Sequence, residues 1–234
     1  DSAMRVREES PLVSAFTPTY RTGDKIHKPF FSLLAQTYSN WEWVVVDDSG
    51  DDNDETIKKL EEFAGQDCRV RVYKNRKNSG MIGAVKREAC DLSRGSILVE
   101  LDHDDHLTPD TLARLVSGYD KHPEVGFIYS DFAESFEGGG KFSYPDGWGF
   151  GYGSYRKEEH NGADYLVVNS PNINAKTIRH IVAAPNHVRS WRKSVYDEIG
   201  GHNPELHVAD DYELMIRTFL HTRMGHIPHL CYVQ

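Results

Sequence analysis

The sequence is poor in cysteine, lacks any long apolar run and carries no excess of basic charge. Its three cysteines, Cys68, Cys90 and Cys231, show neither CxxC nor CxxH spacing, so neither a disulfide framework nor a structural zinc site is indicated. No run reaches the roughly 18 to 20 apolar residues that a membrane span requires. The polar segment 1–10 also lacks the apolar stretch of a secretion signal. We therefore expect a soluble, cytoplasmic chain with no membrane span.

Charge and composition narrow the class of protein further. The 234 residues include 27 Lys and Arg against 36 Asp and Glu, a formal net charge of −9, and no basic stripe is visible. Because nucleic-acid binding needs positive charge to neutralise phosphates, no nucleic-acid partner is expected. With 38% hydrophobic and 11% aromatic residues, the chain can form one sizeable core instead of remaining disordered.

The first half of the chain alternates short β-rich runs with helical patterns. This alternation implies right-handed βαβ crossovers and a mostly parallel central sheet. Pro109 is typical of a first helical turn, so Thr108 is a candidate N-cap for the helix that follows. Strands are predicted at residues 12–16, 43–46, 70–73, 97–101 and 125–129, and helices at 28–38, 54–64, about 79–92 and from 109 onward.

The second half begins with an irregular segment. Residues 138–153 contain seven glycines interleaved with Phe142, Trp148 and three other aromatic residues. This pattern predicts a long loop or irregular hairpin, which is either a flexible insertion or an aromatic surface near a ligand. Order is predicted to return at residues 183–192, 194–199 and 209–220 and in a β-like run to 233, with Gly200 and Gly201 ending the middle helix.

Acidic residues follow two of the apolar strands. Asp47 and Asp48 come after one strand, and Asp102, Asp104 and Asp105 come after another. Open α/β sheets bind ligands at this edge. Closely spaced carboxylates repel one another unless a cation or protons offset them, and hard oxygen ligands suit Mg²⁺ or Mn²⁺. A divalent ion bound to a diphosphate would use such a turn, although a solvated acidic turn is the alternative.

A third acidic pair, Asp210 and Asp211, begins the late helix. Helix N-termini favour Asp because of the helix dipole and the free backbone N–H groups. On spacing alone, this pair is therefore interpreted as a helix cap.

Several blocks of residues, taken in order, resemble a known family. Together they are similar to family-2 glycosyltransferases with the GT-A-type fold, and they extend over about residues 11–220. The blocks are VSAFTPTY at 13–20, SLLAQTY at 32–38, EWVVVDDS at 42–49, NSG at 78–80, LDHDD at 101–105, HPEVG at 122–126, GGH at 200–202 and DDYEL at 210–214.

The resemblance implies a GT-A-like α/β domain over residues 11–234. Residues 11–131 are expected to form a Rossmann-like half that binds the nucleotide-sugar. Residues 132–234 are expected to form a smaller half with the acceptor site and the catalytic base, and this half could continue past Gln234. Residues 1–10 are then an N-terminal extension or a remnant foreign to the domain.

The resemblance also implies roles for residues of the nucleotide pocket. Pro18, Tyr20 and Asp48 match positions that line it, and Asp48 is expected to accept a hydrogen bond from an N–H of the base. Asn78 belongs to a further matching block and is expected to contact the donor.

Further positions concern the diphosphate and the metal. Asp104 is expected to be a direct ligand of Mn²⁺ or Mg²⁺, Asp102 to face the ribose or the metal, and Asp105 to support it. Arg21 and Lys86 depart from the family pattern and add positive charge, which favours a contact with the diphosphate.

On the acceptor side, Asp211 matches the general base of the family. Asp210 replaces the more usual Glu at the preceding position and is also expected at the substrate. Trp191 is expected near the acceptor, where it would stack on a sugar ring. For His187, a place on the acceptor side is weighed against a satisfied core histidine, which is the favoured interpretation.

These assignments predict a metal-dependent, inverting glycosyltransferase. It would move a hexose-type sugar from a nucleotide-sugar donor, UDP-linked, to a hydroxyl of a glycan or related acceptor. One alternative is a non-catalytic nucleotide-sugar-binding module of a larger protein. Another is a sugar nucleotidyltransferase, but the Gly-rich basic phosphate loop expected of that class is poorly matched by residues 19–24.

Overall fold

The computed structural model describes residues 10–51, 55–136, 140–141, 143–145, 147–182 and 184–234. Nine of the ten residues in the predicted N-terminal extension lie outside these ranges, as do Asp54 and Phe142. The described residues contain twelve strands: β1 Val13–Thr19, β2 Trp41–Asp47, β3 Val70–Lys74, β4 Ile97–Glu100, β5 His106–Leu107, β6 Val125–Ala133, β7 Ser135–Phe136, β8 Gly140–Lys141, β9 Ser154–His160, β10 Ala163–Asn169, β11 Arg189–Arg192 and β12 Arg223–Val233.

The helices of the described residues pack one apolar face inward. Along α4, Leu112, Leu115 and Tyr119 are buried at intervals of three and four residues, as the periodicity predicts. The helices are α1 His27–Leu34, α2 Glu55–Gln66, α3 Ile82–Leu92, α4 Thr111–Lys121, α5 Thr177–His180, α6 Lys193–Glu198 and α7 Asp210–His221, with a short 3₁₀ helix at Gly23–Ile26.

The start of α4 differs from the prediction. Its N-cap is Asp110, not Thr108. The hydroxyl of Thr108 instead donates to the backbone carbonyl of Leu230, at 2.8 Å, and lies 3.0 Å from the hydroxyl of Thr111. The hydroxyl of Thr108 therefore links the loop before α4 to β12.

The central sheet is mixed and has ten strands. Strands β3, β2, β1 and β4 lie side by side and parallel, as expected for the first half of the chain. Strand β11 runs antiparallel between β4 and β6, and β10 and β9 extend the other edge as an antiparallel hairpin. Strand β12 pairs in parallel with β6 and antiparallel with β5. The α/β class is confirmed, with less parallel pairing in the second half than predicted.

Alternating side chains of the central strands form two apolar layers. In one layer, Phe30 of α1 stacks on Phe63 of α2 with ring centroids 4.0 Å apart, next to Trp43. In the other layer, Phe127 packs edge-on against Trp191, with centroids 5.0 Å apart. Strands that are buried on both faces produce this continuous apolar pattern.

Trp191 corrects one sequence prediction. Its ring is completely buried, and its indole N–H donates to the hydroxyl of Thr218 at 3.2 Å. The expectation that Trp191 stacks on a sugar ring is therefore wrong, since the alternation along β11 directs this side chain into the core.

Two glycines end α6, as predicted. Gly200 and Gly201 both adopt positive φ, and a β-carbon at Gly201 would lie 2.6 Å from the ring of Tyr196. This close approach keeps the Tyr196 hydroxyl beside His202. Among the described residues, no helix is both long and apolar enough to cross a bilayer.

His202 is a buried, uncharged histidine. The hydroxyl of Tyr196 accepts the backbone N–H of His202, at 3.0 Å, and lies 2.7 Å from its Nδ1. Burial lowers the pKa of His202 to about 3. In the unfolded chain a histidine has a pKa of about 6.5, so the unfolded state binds more protons than the native state between these two values.

We predict that this difference makes the protein sensitive to acid. Stability should fall as the pH drops below about 6.5, with His202 contributing up to about 1.4 kcal/mol per pH unit. In urea unfolding at pH 6, 5 and 4, His202→Gln should show a shallower loss of free energy than the wild type. The exposed His207→Gln serves as control and should follow the wild type. Equal slopes for wild type and H202Q would contradict the assignment.

Candidate functional site

A cavity of about 350 Å³ lies at the carboxyl ends of β1 and β2. Ligand sites of open α/β sheets occur at this edge, and the volume is at the lower end of the range for small-molecule pockets. The cavity extends from the loop before α3 to the acidic turn after β4. It is lined by Pro18, Thr19, Tyr20, Asp48, Asn78, Gly80, Met81, Ile82, Val85 and His103.

Asp48 is fixed at the wall of this cavity. One of its carboxylate oxygens accepts the backbone N–H and the hydroxyl of Ser79, at 2.9 and 2.8 Å, and the other accepts the side-chain amide of Asn75 at 3.0 Å. A carboxylate oxygen can accept more than one hydrogen bond. The bonds to Ser79 and Asn75 therefore hold Asp48 in place and leave it capacity for a ligand.

The residues predicted around the nucleotide separate into two groups. Pro18, Tyr20 and Asn78 line the cavity together with Asp48. Arg21 does not line it; its guanidinium lies 5.6 Å from the ring centroid of Tyr20, and its backbone N–H donates to the hydroxyl of Ser49 at 3.0 Å.

The acidic turn after β4 is held at both ends by one buried tyrosine of β12. The hydroxyl of Tyr232 accepts the backbone N–H of Asp102, at 2.9 Å, and donates to a carboxylate oxygen of Asp105, at 2.8 Å. Burial and the nearby carboxylate of Asp102 raise the pKa of Asp105 to about 7. Asp104 lies between these anchored residues, and its side chain is 39% exposed.

Glu100, the last residue of β4, is the buried centre of a charged network. Lys86 of α3 forms an ion pair with it, and Nη1 of Arg189 lies 3.8 Å from its Oε2. Lys86 also lies 3.7 Å from a carboxylate oxygen of Asp102. Burial alone would lower the pKa of Lys86, but the two carboxylates raise it overall, so Lys86 remains charged.

The placement of Lys86 corrects the expectation for this residue. A surface contact with the diphosphate was expected, whereas Lys86 is buried and already paired with Glu100. Its charge reaches the ligand edge only indirectly, through its proximity to Asp102.

Arg189 connects the network to Asp211. Both terminal nitrogens of its guanidinium lie 3.2 Å from Oδ2 of Asp211, whose side chain is 43% exposed at the start of α7. Arg189 is itself buried and anchored by the backbone carbonyl of Pro185. The predicted base is therefore oriented by a fixed cation and remains accessible to a ligand.

Asp210 occupies a different environment from its neighbour. It is buried, and burial raises the pKa of its carboxyl group. A β-carbon at Gly83 of α3 would lie 3.1 Å from that of Asp210, so the two helices meet closely there. The N-cap of α7 is Ala209, with φ 58, and Asp210 and Asp211 lie in the first turn of the helix. Oδ1 of Asp211 accepts the backbone N–H of Tyr212 at 2.8 Å. The acidic pair therefore begins the helix, as the sequence predicted, but neither residue is the N-cap.

The site contains oxygen and nitrogen atoms that suit a divalent cation. Glu100, Asp102 and His187 each offer one ligand atom, and these atoms all lie within 4.8 Å of one another. Each of the three has a buried polar atom without a hydrogen-bond partner in the described residues. Carboxylate and imidazole ligands fit Mn²⁺, and carboxylates fit Mg²⁺. Since Lys86 and Arg189 already neutralise Glu100, the carboxylate of Asp102 is better suited to a cation.

Sequence reasoning missed three parts of this network. Glu100 precedes the acidic turn, and its signal was a charged residue directly after three apolar residues of a central strand. Arg189 was not considered. Its signal was a charged residue two positions before Trp191 in a short, buried strand. His187 was interpreted as a satisfied core histidine, with the acceptor side as the alternative, whereas its Nε2 lies 3.6 Å from both Glu100 and Asp102.

Comparison with solved structures identifies the class of fold. Staphylococcus aureus TarS, residues 1–349 in complex with UDP, superposes with a TM-score of 0.73 at 19% identity, covering 95% of this chain and 60% of that one. The mannosyltransferase PcManGT from Pyrobaculum calidifontis, in complex with GDP-Man and Mn²⁺, gives 0.62 at 17% identity, covering 97% and 57%. The protein has the fold of GT-A glycosyltransferases, as predicted.

Sequence comparison then identifies the family. The model of Glycosyl transferase family 2 matches residues 14–199, and the chain belongs to this family. Chondroitin synthase from Escherichia coli is 25% identical over 222 residues, which are 95% of this chain and 28% of that protein. The chain thus spans little more than a quarter of this relative's length.

We predict that the hydroxyl of Tyr232 stabilises the acidic turn. Tyr232→Phe leaves the buried carboxyl of Asp105 and the N–H of Asp102 without this partner, which should lower the free energy of unfolding by about 1–3 kcal/mol. The amide hydrogen of Asp102 should also exchange faster, as measured by NMR. Tyr165→Phe is the control, because the hydroxyl of Tyr165 makes no hydrogen bond within the described residues. If Y232F leaves both the free energy of unfolding and the exchange rate of the Asp102 amide unchanged, the hydroxyl of Tyr232 does not stabilise the turn.

Proposed function

We propose that the protein is a metal-dependent, inverting glycosyltransferase that moves a hexose-type sugar from a UDP-sugar to a hydroxyl of a glycan or related acceptor. The observation that carries the proposal is the convergence, at one sheet edge, of the cavity around Asp48, the acidic turn after β4 and Asp211. Membership of glycosyl transferase family 2 supports glycosyl transfer, and the UDP bound in TarS supports the choice of nucleotide.

The donor is proposed to bind with its base in the cavity. Asp48 accepts an N–H of the base, for which the bonds from Ser79 and Asn75 hold it ready. Tyr20 and Pro18 flank the base and ribose, and Asn78 contacts the donor from the loop before α3. His103 belongs to the acidic turn and also lines the cavity. A donor bound in the cavity therefore has its diphosphate next to Asp102.

Mn²⁺ or Mg²⁺ is proposed to be held by Asp102 and Asp104. The cation would offset the negative charge that develops on the departing nucleoside diphosphate. Oδ1 of Asp102 is buried and accepts no hydrogen bond within the described residues, with Nζ of Lys86 3.7 Å away, and the side chain of Asp104 is 39% exposed. The hydrogen bonds of Tyr232, one of them to Asp105, fix the backbone of the turn that carries these two ligands.

Asp211 is proposed as the general base. Its carboxylate takes the proton of an acceptor hydroxyl, and the hydroxyl oxygen attacks the anomeric carbon from the face opposite the diphosphate. The bond from the anomeric carbon to the diphosphate oxygen breaks, and its electron pair leaves with UDP. Arg189 acts as a positioning residue, since it fixes the orientation of Asp211 through two contacts of 3.2 Å.

A second candidate function is a nucleotide-sugar-binding module without turnover. One observation favours it, because Oδ2 of Asp211 already contacts both terminal nitrogens of Arg189, and Oδ1 already accepts the backbone N–H of Tyr212. We nevertheless favour catalysis, since this carboxylate remains partly exposed next to the ligand edge. In either case, residues 11–131 are proposed to supply the donor site and residues 132–234 the acceptor site.

The donor assignment predicts selective, metal-dependent nucleotide binding. In calorimetric titrations with UDP, GDP and dTDP, UDP with Mn²⁺ should bind most tightly, and EDTA should abolish that binding. Asp104→Asn should weaken UDP binding with Mn²⁺ about tenfold or more, because it removes one charged ligand. The exposed Asp197→Asn, on α6, should bind as the wild type does. Equal UDP affinity with Mn²⁺ and with EDTA would exclude the metal role.

The base assignment predicts a variant that binds the donor without turning it over. Asp211→Asn should reduce transfer roughly 10²–10⁴-fold, since an amide cannot accept the proton, while UDP affinity stays within about twofold of the wild type. Transfer is measured as UDP release in the presence of acceptor, with D197N as the matched carboxylate-to-amide control. Undiminished turnover in D211N would remove Asp211 from the mechanism.

A further inference from the structure

A surface next to the candidate base combines exposed aromatic rings with cationic side chains. It consists of Phe150, Tyr152, Lys176, Arg179 and His180, which we call the aromatic–basic surface. Phe150 is 67% exposed and Tyr152 is 38% exposed. The ring of Phe150 lies 5.4 Å from that of His180, and Nζ of Lys176 lies 5.9 Å from the ring centroid of Tyr152. The glycine-rich segment and α5 thus form one continuous patch.

Backbone hydrogen bonds within the glycine-rich segment hold the aromatic rings of this patch in exposed positions. The N–H of Phe150 donates to the carbonyl of Gly147 at 3.0 Å, and that of Tyr152 donates to the carbonyl of Gly149 at 2.8 Å. Phe150 has a φ of 51, which is unfavourable for a residue with a side chain. Trp148, two residues before Phe150, packs against the core. Since neither the strained backbone nor the exposed ring favours folding, this arrangement points to a ligand.

Among the described residues, the cationic side chains of the patch have no acidic partner. Lys176, Arg179 and His180 lie within five consecutive positions of a chain whose net charge is −9. Arg179 donates its Nε–H to the carbonyl of Ala175, at 2.8 Å, which leaves the outer guanidinium nitrogens available. Within the part of the chain that the structure describes, no carboxylate lies within ion-pair distance of Lys176 or Arg179. Such a local positive field in an acidic protein attracts anions.

The patch is fixed relative to the candidate base. The hydroxyl of Tyr212 donates to the backbone carbonyl of Ile178 in α5, at 3.0 Å, and Tyr212 directly follows Asp211. At the start of α5, the side-chain oxygen of Asn174 accepts the backbone N–H of Lys176 at 2.9 Å. The hydrogen bond from Tyr212 therefore links α5 directly to the first turn of α7, which carries Asp211.

We propose that the aromatic–basic surface binds the acceptor, and that this acceptor is an anionic saccharide. The apolar faces of its sugar rings pack on Phe150 and Tyr152, and its carboxylate or phosphate groups pair with Lys176 and Arg179. The proposal rests on the proposed glycosyl transfer, and it gives that reaction an acceptor of defined charge. The carboxylate and phosphate sources share this chemistry, and binding of separate probes distinguishes them.

The test measures oligosaccharide binding with and without UDP and Mn²⁺. The probes are an unsulfated chondroitin hexasaccharide, the same hexasaccharide with its carboxylates reduced to alcohols, and the reduced hexasaccharide with phosphate groups on those alcohols. At least one anionic probe should bind the wild type about tenfold or more tightly than the reduced probe. The probe that binds better identifies carboxylate or phosphate as the recognised group.

Variants separate the two parts of the surface. The double variant Lys176→Glu with Arg179→Glu should lose about tenfold or more in affinity for the anionic probe. Phe150→Ala should weaken the anionic and reduced probes by similar factors, because it removes the stacking ring. The control is Lys58→Glu with Lys121→Glu, two exposed lysines on α2 and α4 with the same total charge change, and it should bind as the wild type does.

The outcomes distinguish this proposal from the proposed function. Three outcomes would overturn the aromatic–basic surface as an anion site. They are equal affinity for the anionic and reduced probes, equal losses of affinity in both double variants, and no oligosaccharide binding up to about 1 mM. UDP affinity is measured in the same samples and should be unchanged in all variants. A wild type that binds the anionic probe but neither binds UDP nor releases it would instead refute glycosyl transfer.

Discussion

The buried carboxylate of Glu100 is the constraint on which the ligand edge of the sheet depends. A charge at the end of a central strand is costly unless other groups compensate it. Lys86 reaches it from α3 and Arg189 from β11, so the compensating charges come from both halves of the chain. Burial alone would raise the pKa of Glu100, but Lys86, the imidazole of His187 and the charge of Arg189 hold it well below its usual range. The ion network therefore connects the parallel half of the sheet to the antiparallel half.

This network also determines where the other functional groups lie. Arg189 extends from Glu100 to Asp211, and Lys86 extends from Glu100 toward Asp102. One buried anion thus fixes the candidate base on one side and the acidic turn on the other. A small displacement of β11 against β4 would therefore move the candidate base relative to the acidic turn. The tight packing around Trp191, which lies on the same strand as Arg189, opposes such a displacement.

The sequence predicted the parallel half of the fold more fully than the antiparallel half. Strands such as β2 combine a compact apolar run with neighbouring helices of clear periodicity, so local pattern and tertiary structure agree there. Strands β9 and β10 were missed because their charged, half-exposed sequences resemble a loop. Their connection at Asn161 and Gly162, both with positive φ, is typical of a two-residue hairpin turn and was the available signal. Pairing between distant strands, such as β11 with β4, leaves no local pattern at all.

The acidic turn depends on a residue that comes late in the chain. Tyr232 contacts the turn across 127 and 130 positions of sequence, through Asp105 and Asp102. During synthesis, residues 11–131 emerge before β12 is available to fix this turn. The two hydrogen bonds from Tyr232 form only when the last strand has joined the sheet, which makes completion of the ligand edge a late step of assembly.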